Sequence, residues 1–201
     1  MCIRDRVDAL RRLAYLPDFQ GLIFFNELSA LGNAEEKLLF HGLPVASLAS
    51  DQNKLTRRAS LDGFRQGKIC ELLTTDVAAR GLDVDQLGYV VNTEVPQEKE
   101  SYLHRAGRVG RMGNEGTVIT IVQDHTLKDL KKIAAQLDLT LQEVFLHGGA
   151  LHTERPEVKS EPKKEQSVQK NSRKTSEKLH TMPKKTKKKQ KNQKDKGKRR
   201  H

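Results

Sequence analysis

Ile69-Cys70-Glu71-Leu72-Leu73-Thr74-Thr75-Asp76 is the stretch that decides the fold, because a short β-rich run ends there in three polar residues. The run at 69–73 predicts a buried strand. Similar runs lie at 22–25, 45–48, 89–92 and 117–122, so that successive strands start about 20 to 28 residues apart. Strands at this interval, with helical segments between them, favour βαβ units around a parallel sheet with right-handed crossovers. We therefore predict an α/β fold.

The segments between the predicted strands carry apolar residues at helical spacing. The first helix is predicted from Leu28, Leu31, Leu38 and Leu39, the second from Leu55, Leu61 and Phe64, and a third, after the last strand, from Leu127, Leu130, Ile133, Ala134 and Leu137. Residues 139–146 are expected to form a short closing helix. The folded domain is therefore predicted to span residues 7–152.

The charge of the chain divides it in two. The whole chain has a net charge of +11, but residues 153–201 alone carry 19 Lys and Arg against 6 Asp and Glu, a net of +13, which leaves −2 for the rest. Large apolar residues are scarce in this tail, so it cannot bury enough surface to offset the entropy of ordering. We expect residues 153–201 to form a disordered, Lys-rich tail.

Residues 1–6 fit none of the predicted elements and resemble the translated remnant of a sequencing adapter. They are interpreted as a non-native start, with the chain beginning in the middle of a longer protein. The two cysteines, Cys2 and Cys70, lie far apart, which argues against a disulfide framework and a paired-cysteine metal site. No stretch approaches the roughly 18 apolar residues of a membrane span. We expect a soluble, cytoplasmic protein without a metal site of its own and without a membrane partner.

A polar segment, Thr74-Thr75-Asp76-Val77-Ala78-Ala79-Arg80-Gly81-Leu82-Asp83, follows the strand at 69–73. Ligands of open α/β sheets bind at the carboxyl ends of strands, where hydroxyls and backbone amides can donate to phosphate oxygens and a carboxylate such as Asp83 can accept from a sugar hydroxyl. The alternative is purely structural: Thr75 and Asp76 cap a helix, and Arg80 pairs with Asp83.

A second segment, His104-Arg105-Ala106-Gly107-Arg108-Val109-Gly110-Arg111, places three arginines at spacings of three and separates them with glycines. Arginine offers a planar fork of donors that fits phosphate oxygens, and glycine allows close approach of the backbone. This pattern indicates a phosphate site more strongly than a solvated basic turn. A further basic group, which includes Arg57, Arg58 and Arg65, is by itself more typical of a solvated helix face.

Together, the two segments resemble motifs V and VI of the DEAD-box RNA helicases, at the separation usual for that family. The supporting pieces are Leu22-Ile23-Phe24-Phe25-Asn26, similar to motif IV, Arg57 with Leu61-Asp62-Gly63-Phe64-Arg65-Gln66-Gly67, similar to motif IVa, and Val90-Val91-Asn92 with Pro96, similar to the strand and turn between V and VI. The resemblance covers residues 21–123. It implies a RecA-like parallel sheet flanked by helices, the second of two such domains that close on ATP and RNA.

The resemblance also implies roles for single residues. Arg108 and Arg111 are expected to reach the ATP phosphates as catalytic arginine fingers, and Asp83 is expected to face the ribose. Thr75, Gly81 and Arg57 are expected to lie towards the RNA backbone, which predicts little sequence specificity. Arg105 is expected to organise the loop. The remaining supporting residues are Tyr102, His104, Asp76 and Arg80.

The chain also departs from the family pattern. Ala49-Ser50-Asp51 stands where the family usually has His-Gly-Asp, and Lys54 replaces a glutamine, although Lys54 can still serve an RNA phosphate. The sequence contains neither a Gly-x-x-x-x-Gly-Lys-Ser/Thr loop nor an Asp-Glu-Ala-Asp box. We therefore expect ATP with Mg²⁺ to be held mainly by a missing N-terminal RecA-like domain of the parent protein, and this chain alone to be inactive.

The functional prediction is the C-terminal half of an ATP-dependent RNA helicase that unwinds RNA, with the Lys-rich tail adding salt-sensitive, sequence-independent affinity for RNA. The alternative is a non-catalytic RNA-binding module in which the RecA-like fold is a scaffold and the tail supplies the affinity. A relative that acts on DNA is not excluded by charge or spacing.

Overall fold

A computed structural model describes residues 3–49, 52–82, 84, 87–110 and 115–155. Its centre is a sheet of five strands, β1 (Gly21–Phe25), β2 (Val45–Leu48), β3 (Glu71–Thr75), β4 (Tyr89–Asn92) and β5 (Thr117–Thr120). The strand order is β2-β3-β1-β4-β5, and every neighbouring pair is parallel. The predicted α/β class with a parallel sheet is therefore confirmed.

The strand predictions are close to the structure. β2 and β4 have the predicted bounds, whereas β3 starts at Glu71 rather than residue 69. Its start is set by pairing, because Glu71 lies opposite Gly21 on β1 and opposite Val45 on β2. β3 also ends two residues later than predicted, so Thr74 and Thr75 are part of the strand.

In the described part of the chain, five helices accompany the sheet: α1 (Ile3–Leu13), α2 (Leu28–Phe40), α3 (Lys54–Arg65), α4 (Lys99–Ala106) and α5 (Leu127–Gln136). Helices α2, α3 and α5 occupy the segments in which helical spacing was found. Helices α1 and α4 were not predicted. Because α1 starts at Ile3, residues 3–6 belong to an element after all; whether residues 1–6 are native sequence stays a prediction.

Alternating strand residues face two hydrophobic cores, one on each side of the sheet. Ile23 and Phe25 of β1 pack in the core that contains α1 and α2, and Leu22 and Phe24 pack in the core that contains Phe64 of α3. A sheet covered on both faces explains the nearly continuous apolar runs of the strands. A third, smaller cluster joins Tyr102 of α4 to Leu130 and Ile133 of α5.

The predicted closing helix at 139–146 is wrong. The chain instead forms an antiparallel hairpin of β6 (Phe145–His147) and β7 (Ala150–His152). Gly148 and Gly149 connect the strands with φ values of 60° and 74°, and two positive φ angles in a two-residue loop are the signature of a tight hairpin turn. The hairpin packs on α1, where the Arg12 side chain donates to the Leu146 carbonyl.

None of the helices in the described ranges is long and apolar enough to cross a membrane. The predicted tail at 153–201 lies outside the described residues except for 153–155. The domain division at residue 152 stays a prediction.

Candidate functional site

Polar residues meet at the carboxyl edge of the sheet, and one of them, Asp76, is a predicted site residue. Asn26 follows β1, Asp76 follows β3, and Asn92 ends β4. Because these strands are neighbours and parallel, their ends meet at one edge. Helix α4 delivers Arg105 to the same place.

Arg105 connects these strand ends. Its guanidinium donates from Nε and Nη2 to both carboxylate oxygens of Asp76, at 2.8 and 2.7 Å, and from Nη2 to Asn26 Oδ1 at 2.9 Å. Nη1 donates to Asn92 Oδ1 at 3.2 Å, and the guanidinium carbon lies 5.1 Å from the centre of the Phe24 ring. Only 1% of Arg105 is exposed, so its charge is compensated entirely by these partners. Arg105 lies in the last turn of α4. Its expected role in organising the loop that follows stays a prediction.

The partners of Arg105 are themselves held in place. Asn92 Nδ2 donates to Thr120 Oγ1 at 3.1 Å, and Asn26 Nδ2 donates to the Val95 carbonyl at 3.2 Å. Burial raises the pKa of Tyr102, while a hydrogen bond with Thr120 opposes this effect. The network therefore fixes α4 against β1, β3, β4 and β5 together.

The turn after β3 is built by Thr75 and Gly81. Thr75 Oγ1 accepts from Ala78 N at 3.4 Å, and the Thr75 carbonyl accepts from Ala79 N at 2.9 Å. Gly81 is exposed and has φ 69°, a backbone conformation that residues other than glycine rarely adopt. The structural alternative therefore applies in part: Thr75 does cap the turn, whereas the Asp76 carboxylate is taken by Arg105.

Arg57 joins α3 to this turn by donating from Nη2 to the Ala78 carbonyl at 2.7 Å. Lys54 is exposed at the first residue of α3. The helix is capped there by Asn53, whose side chain accepts from Thr56 N at 2.8 Å. Two of the predicted RNA-binding residues, Lys54 and Arg57, thus belong to α3. The other two, Thr75 and Gly81, lie at the end of β3 and in the turn after it.

Arg108 lies just beyond α4 and is half-buried. Its Nη1 donates to the Leu82 carbonyl at 2.9 Å, which places the guanidinium beside the end of the segment that follows β3. Gly110, two residues further on, turns the chain with φ 70°. Two of the predicted residues, Asp83 and Arg111, lie outside the described residues.

A small cavity of about 280 Å³ separates the turn after β3 from α4. It is lined by Phe24, Asp76, Ala79, Arg80, Gly81, Ser101, His104, Arg105 and Arg108. Arg80 and His104 are both exposed, so cationic and polar groups from two segments face one space. Such a space suits an anionic group.

A larger cavity of about 750 Å³ lies between the loop at 93–98 and α5. None of the predicted site residues that the structure describes lines it. Within the described ranges, no group of three or more His, Cys, Asp or Glu side chains is placed to hold a metal ion.

Sequence reasoning gave no individual role to Asn26, Asn92 and Thr120. Asn26 and Asn92 were quoted only as parts of the family resemblance, although a polar residue at the end of an apolar strand was the signal already used for Thr75 and Asp76. Thr120 carries no comparable signal, because its role depends on the pairing of β4 with β5.

The family of helicase conserved C-terminal domains matches residues 5–113, more than half of the chain. This chain belongs to that family. The match includes both segments that resemble DEAD-box motifs V and VI, so the resemblance found in the sequence is confirmed. The five-stranded parallel sheet and its flanking helices accordingly form a RecA-like helicase C-terminal domain.

Similar proteins agree with this assignment. The DEAD-box ATP-dependent RNA helicase CshC of Bacillus cereus is 39% identical over 144 residues, which cover 71% of this chain and 37% of that protein. The structure of the Escherichia coli DEAD-box protein SrmB, bound to regulator of ribonuclease activity A, has a TM-score of 0.63 and 26% identity, with 67% of this chain and 80% of that chain covered. The structure of Saccharomyces cerevisiae Dbp5 bound to RNA and ADP BeF3 has a TM-score of 0.60 and 30% identity, with 66% and 36% covered.

The chain thus spans well under half the length of the curated relative.

Proposed function

We propose that this chain is the C-terminal half of an ATP-dependent RNA helicase that unwinds or remodels RNA with the energy of ATP hydrolysis. The observation that carries the proposal is the Arg105–Asp76 pair, which locks α4 to the turn after β3 and leaves Arg108 beside Leu82. The relatives are named ATP-dependent RNA helicases, which supports catalysis over the alternative of a non-catalytic RNA-binding module.

In this proposal ATP and Mg²⁺ are held mainly by the N-terminal RecA-like domain of the same protein, and Arg108 and Arg111 act across the cleft. A fixed guanidinium stabilises the charge that develops on the transferred phosphoryl group, and it needs no reorganisation if it is held in advance. The hydrogen bond from Arg108 to the Leu82 carbonyl supports such a fixed position. Asp83 would accept a hydrogen bond from the ribose.

RNA would be bound through its backbone by Lys54, Arg57, Thr75 and Gly81. The arrangement of α3 and the turn after β3 supports this, because Arg57 holds the turn by the Ala78 carbonyl while Lys54 stays exposed. The Lys-rich tail would add affinity that falls steeply with salt. A cytoplasmic location fits the free thiol of Cys70, which a reducing compartment maintains.

The test joins this chain to the N-terminal RecA-like domain of the CshC relative and measures RNA-stimulated ATP hydrolysis. Arg108→Ala and Arg111→Ala are each expected to lower kcat by about 1,000-fold, the usual effect of losing an arginine finger. Arg58→Ala is the matched control, since the Arg58 side chain is 82% exposed on α3. Unchanged kcat in Arg108→Ala would contradict the proposal.

A second arm separates the domain from the tail. Removal of residues 153–201 is expected to leave RNA-stimulated hydrolysis in place while a higher RNA concentration is needed for half-stimulation. If hydrolysis in the joined protein never depends on RNA, or if RNA binding resides in the tail alone, the non-catalytic module is the better description.

A further inference from the structure

Gly116 lies directly against the turn that carries Arg108. A Cβ atom built on Gly116 would stand 2.4 Å from Val109 Cβ, 3.1 Å from Val109 Cγ2 and 2.8 Å from Gly110 N. These separations are far below van der Waals contact, and one of them is to backbone. Any side chain at position 116 must therefore displace residues 109 and 110 or itself.

The restriction at Gly116 is one of space and not of backbone conformation. Gly116 is not among the glycines with positive φ, whereas Gly110 adopts φ 70°. Gly110 is thus required for the shape of the turn, and Gly116 for the room in which the turn lies.

Val109 cannot yield easily to such a displacement. Its side chain packs against the core that contains Leu87, and the two residues form a parallel bridge. Leu87 is only 3% exposed, and the neighbouring Gly88 carbonyl accepts from Thr117 N at 2.8 Å. The turn at 107–110 is therefore held between the core on one side and the start of β5 on the other.

We propose that Gly116 is a positioning residue for Arg108: its missing side chain sets the depth of the 107–110 turn and so the reach of the Arg108 guanidinium. This inference rests on the proposed function for the role of Arg108. Gly116 touches neither nucleotide nor RNA, and it acts through Val109 and Gly110. Because a displacement of about 1 Å can lower a catalytic rate by about 100-fold, a single methyl group at position 116 is sufficient to matter.

The first test uses this chain alone and does not depend on catalysis. In backbone amide NMR spectra, Gly116→Ala is expected to shift the signals of Arg108, Val109, Gly110 and Leu87. Gly88→Ala is the matched control, since Gly88 lies beside the same bridge, has no atom within 4 Å of a built Cβ and has no positive φ. Equal, purely local changes in the two variants would overturn the inference.

The second test measures RNA-stimulated ATP hydrolysis in the protein joined to the CshC N-terminal domain. Gly116→Ala is expected to lower kcat at least 10-fold, with KM for ATP and Kd for RNA within twofold of the unchanged protein. The Gly88→Ala control should retain full kcat. A merely destabilising change would instead lower the amount of folded protein and leave kcat per folded molecule intact, and that result would overturn the inference.

A second-site variant keeps the test decisive if Gly116→Ala folds poorly. Val109→Gly removes the Cβ and Cγ2 atoms that the new methyl group meets, so Gly116→Ala with Val109→Gly is expected to recover part of kcat relative to Gly116→Ala or to restore its fold. Absence of any recovery would overturn the inference. If the unchanged joined protein shows no RNA-stimulated hydrolysis, the proposed function fails, while the NMR comparison still decides whether Gly116 places Arg108.

Discussion

Arg105 donates hydrogen bonds to both carboxylate oxygens of Asp76, at 2.8 and 2.7 Å, although the two residues are 29 positions apart in the sequence. The pair sits at the boundary of the core, since the Arg105 side chain is 2% exposed and that of Asp76 is 40% exposed. Asn26 and Asn92 accept the remaining hydrogen bonds of the guanidinium. The loss of Arg105 would therefore leave three polar groups without their partner.

Arg105→Ala is expected to lower the free energy of unfolding by about 3 kcal/mol, because it breaks a largely buried ion pair. We expect a value at the low end of the usual range, since water can reach Asp76. Urea unfolding followed by circular dichroism measures the change. Arg58→Ala is the control: its partner Asp62 lies 3.7 Å away and its side chain is 82% exposed, so a loss below about 0.5 kcal/mol is expected. Equal losses in the two variants would refute the importance of the network.

The Arg105 network also explains why α4 was not predicted from the sequence. Periodicity identifies a helix by its buried apolar residues, whereas α4 buries only Tyr102 and Arg105. Arginine is a rare buried residue, and its burial here depends on Asp76, Asn26 and Asn92, which come from three separate segments. That compensation is a property of the folded sheet and cannot be read from the segment itself.

The strands, by contrast, could be predicted from the sequence because both faces of the sheet are covered. A strand buried on both sides must be apolar throughout, and Val90 and Val91 of β4 are both fully buried in opposite cores. The edge of the sheet was equally predictable, since polar residues directly after buried strands meet there. The contacts among them required the strand order.

Glu71 lies within the apolar run at 69–73, and its burial was not predicted from the sequence. It is fully buried in β3, and neither carboxylate oxygen has a hydrogen-bond partner within the described part of the chain. Burial raises the pKa of Glu71 from 4.5 to about 8. The folded protein therefore keeps this proton at pH values where the unfolded chain has lost it.

This pKa predicts a falling stability with rising pH. Between about pH 4.5 and 8 the folded state binds one proton more than the unfolded state, so the free energy of unfolding decreases through this window and levels off above it. The expected decrease is of the order of 5 kcal/mol, since the pKa rises from 4.5 to about 8 and one pKa unit corresponds to about 1.4 kcal/mol. Glu71→Gln should remove this slope, and urea unfolding at a series of pH values measures it.

Up to about pH 8, where Cys70 keeps its proton, the difference between the curves of the unchanged protein and Glu71→Gln isolates Glu71. Glu100→Gln, at an exposed position of α4, is the matched control and should follow the unchanged protein. Parallel curves for the unchanged protein and Glu71→Gln would show that Glu71 is ionised in the fold.

Lys54 offers a test of the RNA surface that leaves the network intact. Because Lys54 is exposed, Lys54→Ala should weaken RNA binding to a similar extent for unrelated sequences. It should also reduce the slope of log K against log salt by about 0.7 for single-stranded RNA, the contribution of one phosphate contact. Fluorescence anisotropy over a salt series measures both quantities. Lys131→Ala, exposed on α5, removes the same charge elsewhere, and a slope change as large in that variant would mean that only net charge matters.

The Cys70 thiol is expected to react slowly with disulfide reagents, although Cys70 is only half-buried. Burial, together with the neighbouring Glu71 charge, raises its pKa from 9.0 to about 11. Since the thiolate is the reactive form, its fraction at pH 8 falls by about 100-fold relative to an unperturbed thiol.

Reaction with a chromogenic disulfide reagent in a Cys2→Ser background measures Cys70 alone. The folded protein should react about 100-fold more slowly at pH 8 than the same chain in urea, where both burial and the fixed neighbour are lost. At pH 9, where Glu71 is ionised, Glu71→Gln should react faster than the unchanged protein, because the negative charge beside the thiolate is gone. If the folded protein reacts as fast as the unfolded chain, the start of β3 opens to solvent. That result would also contradict the burial of Glu71.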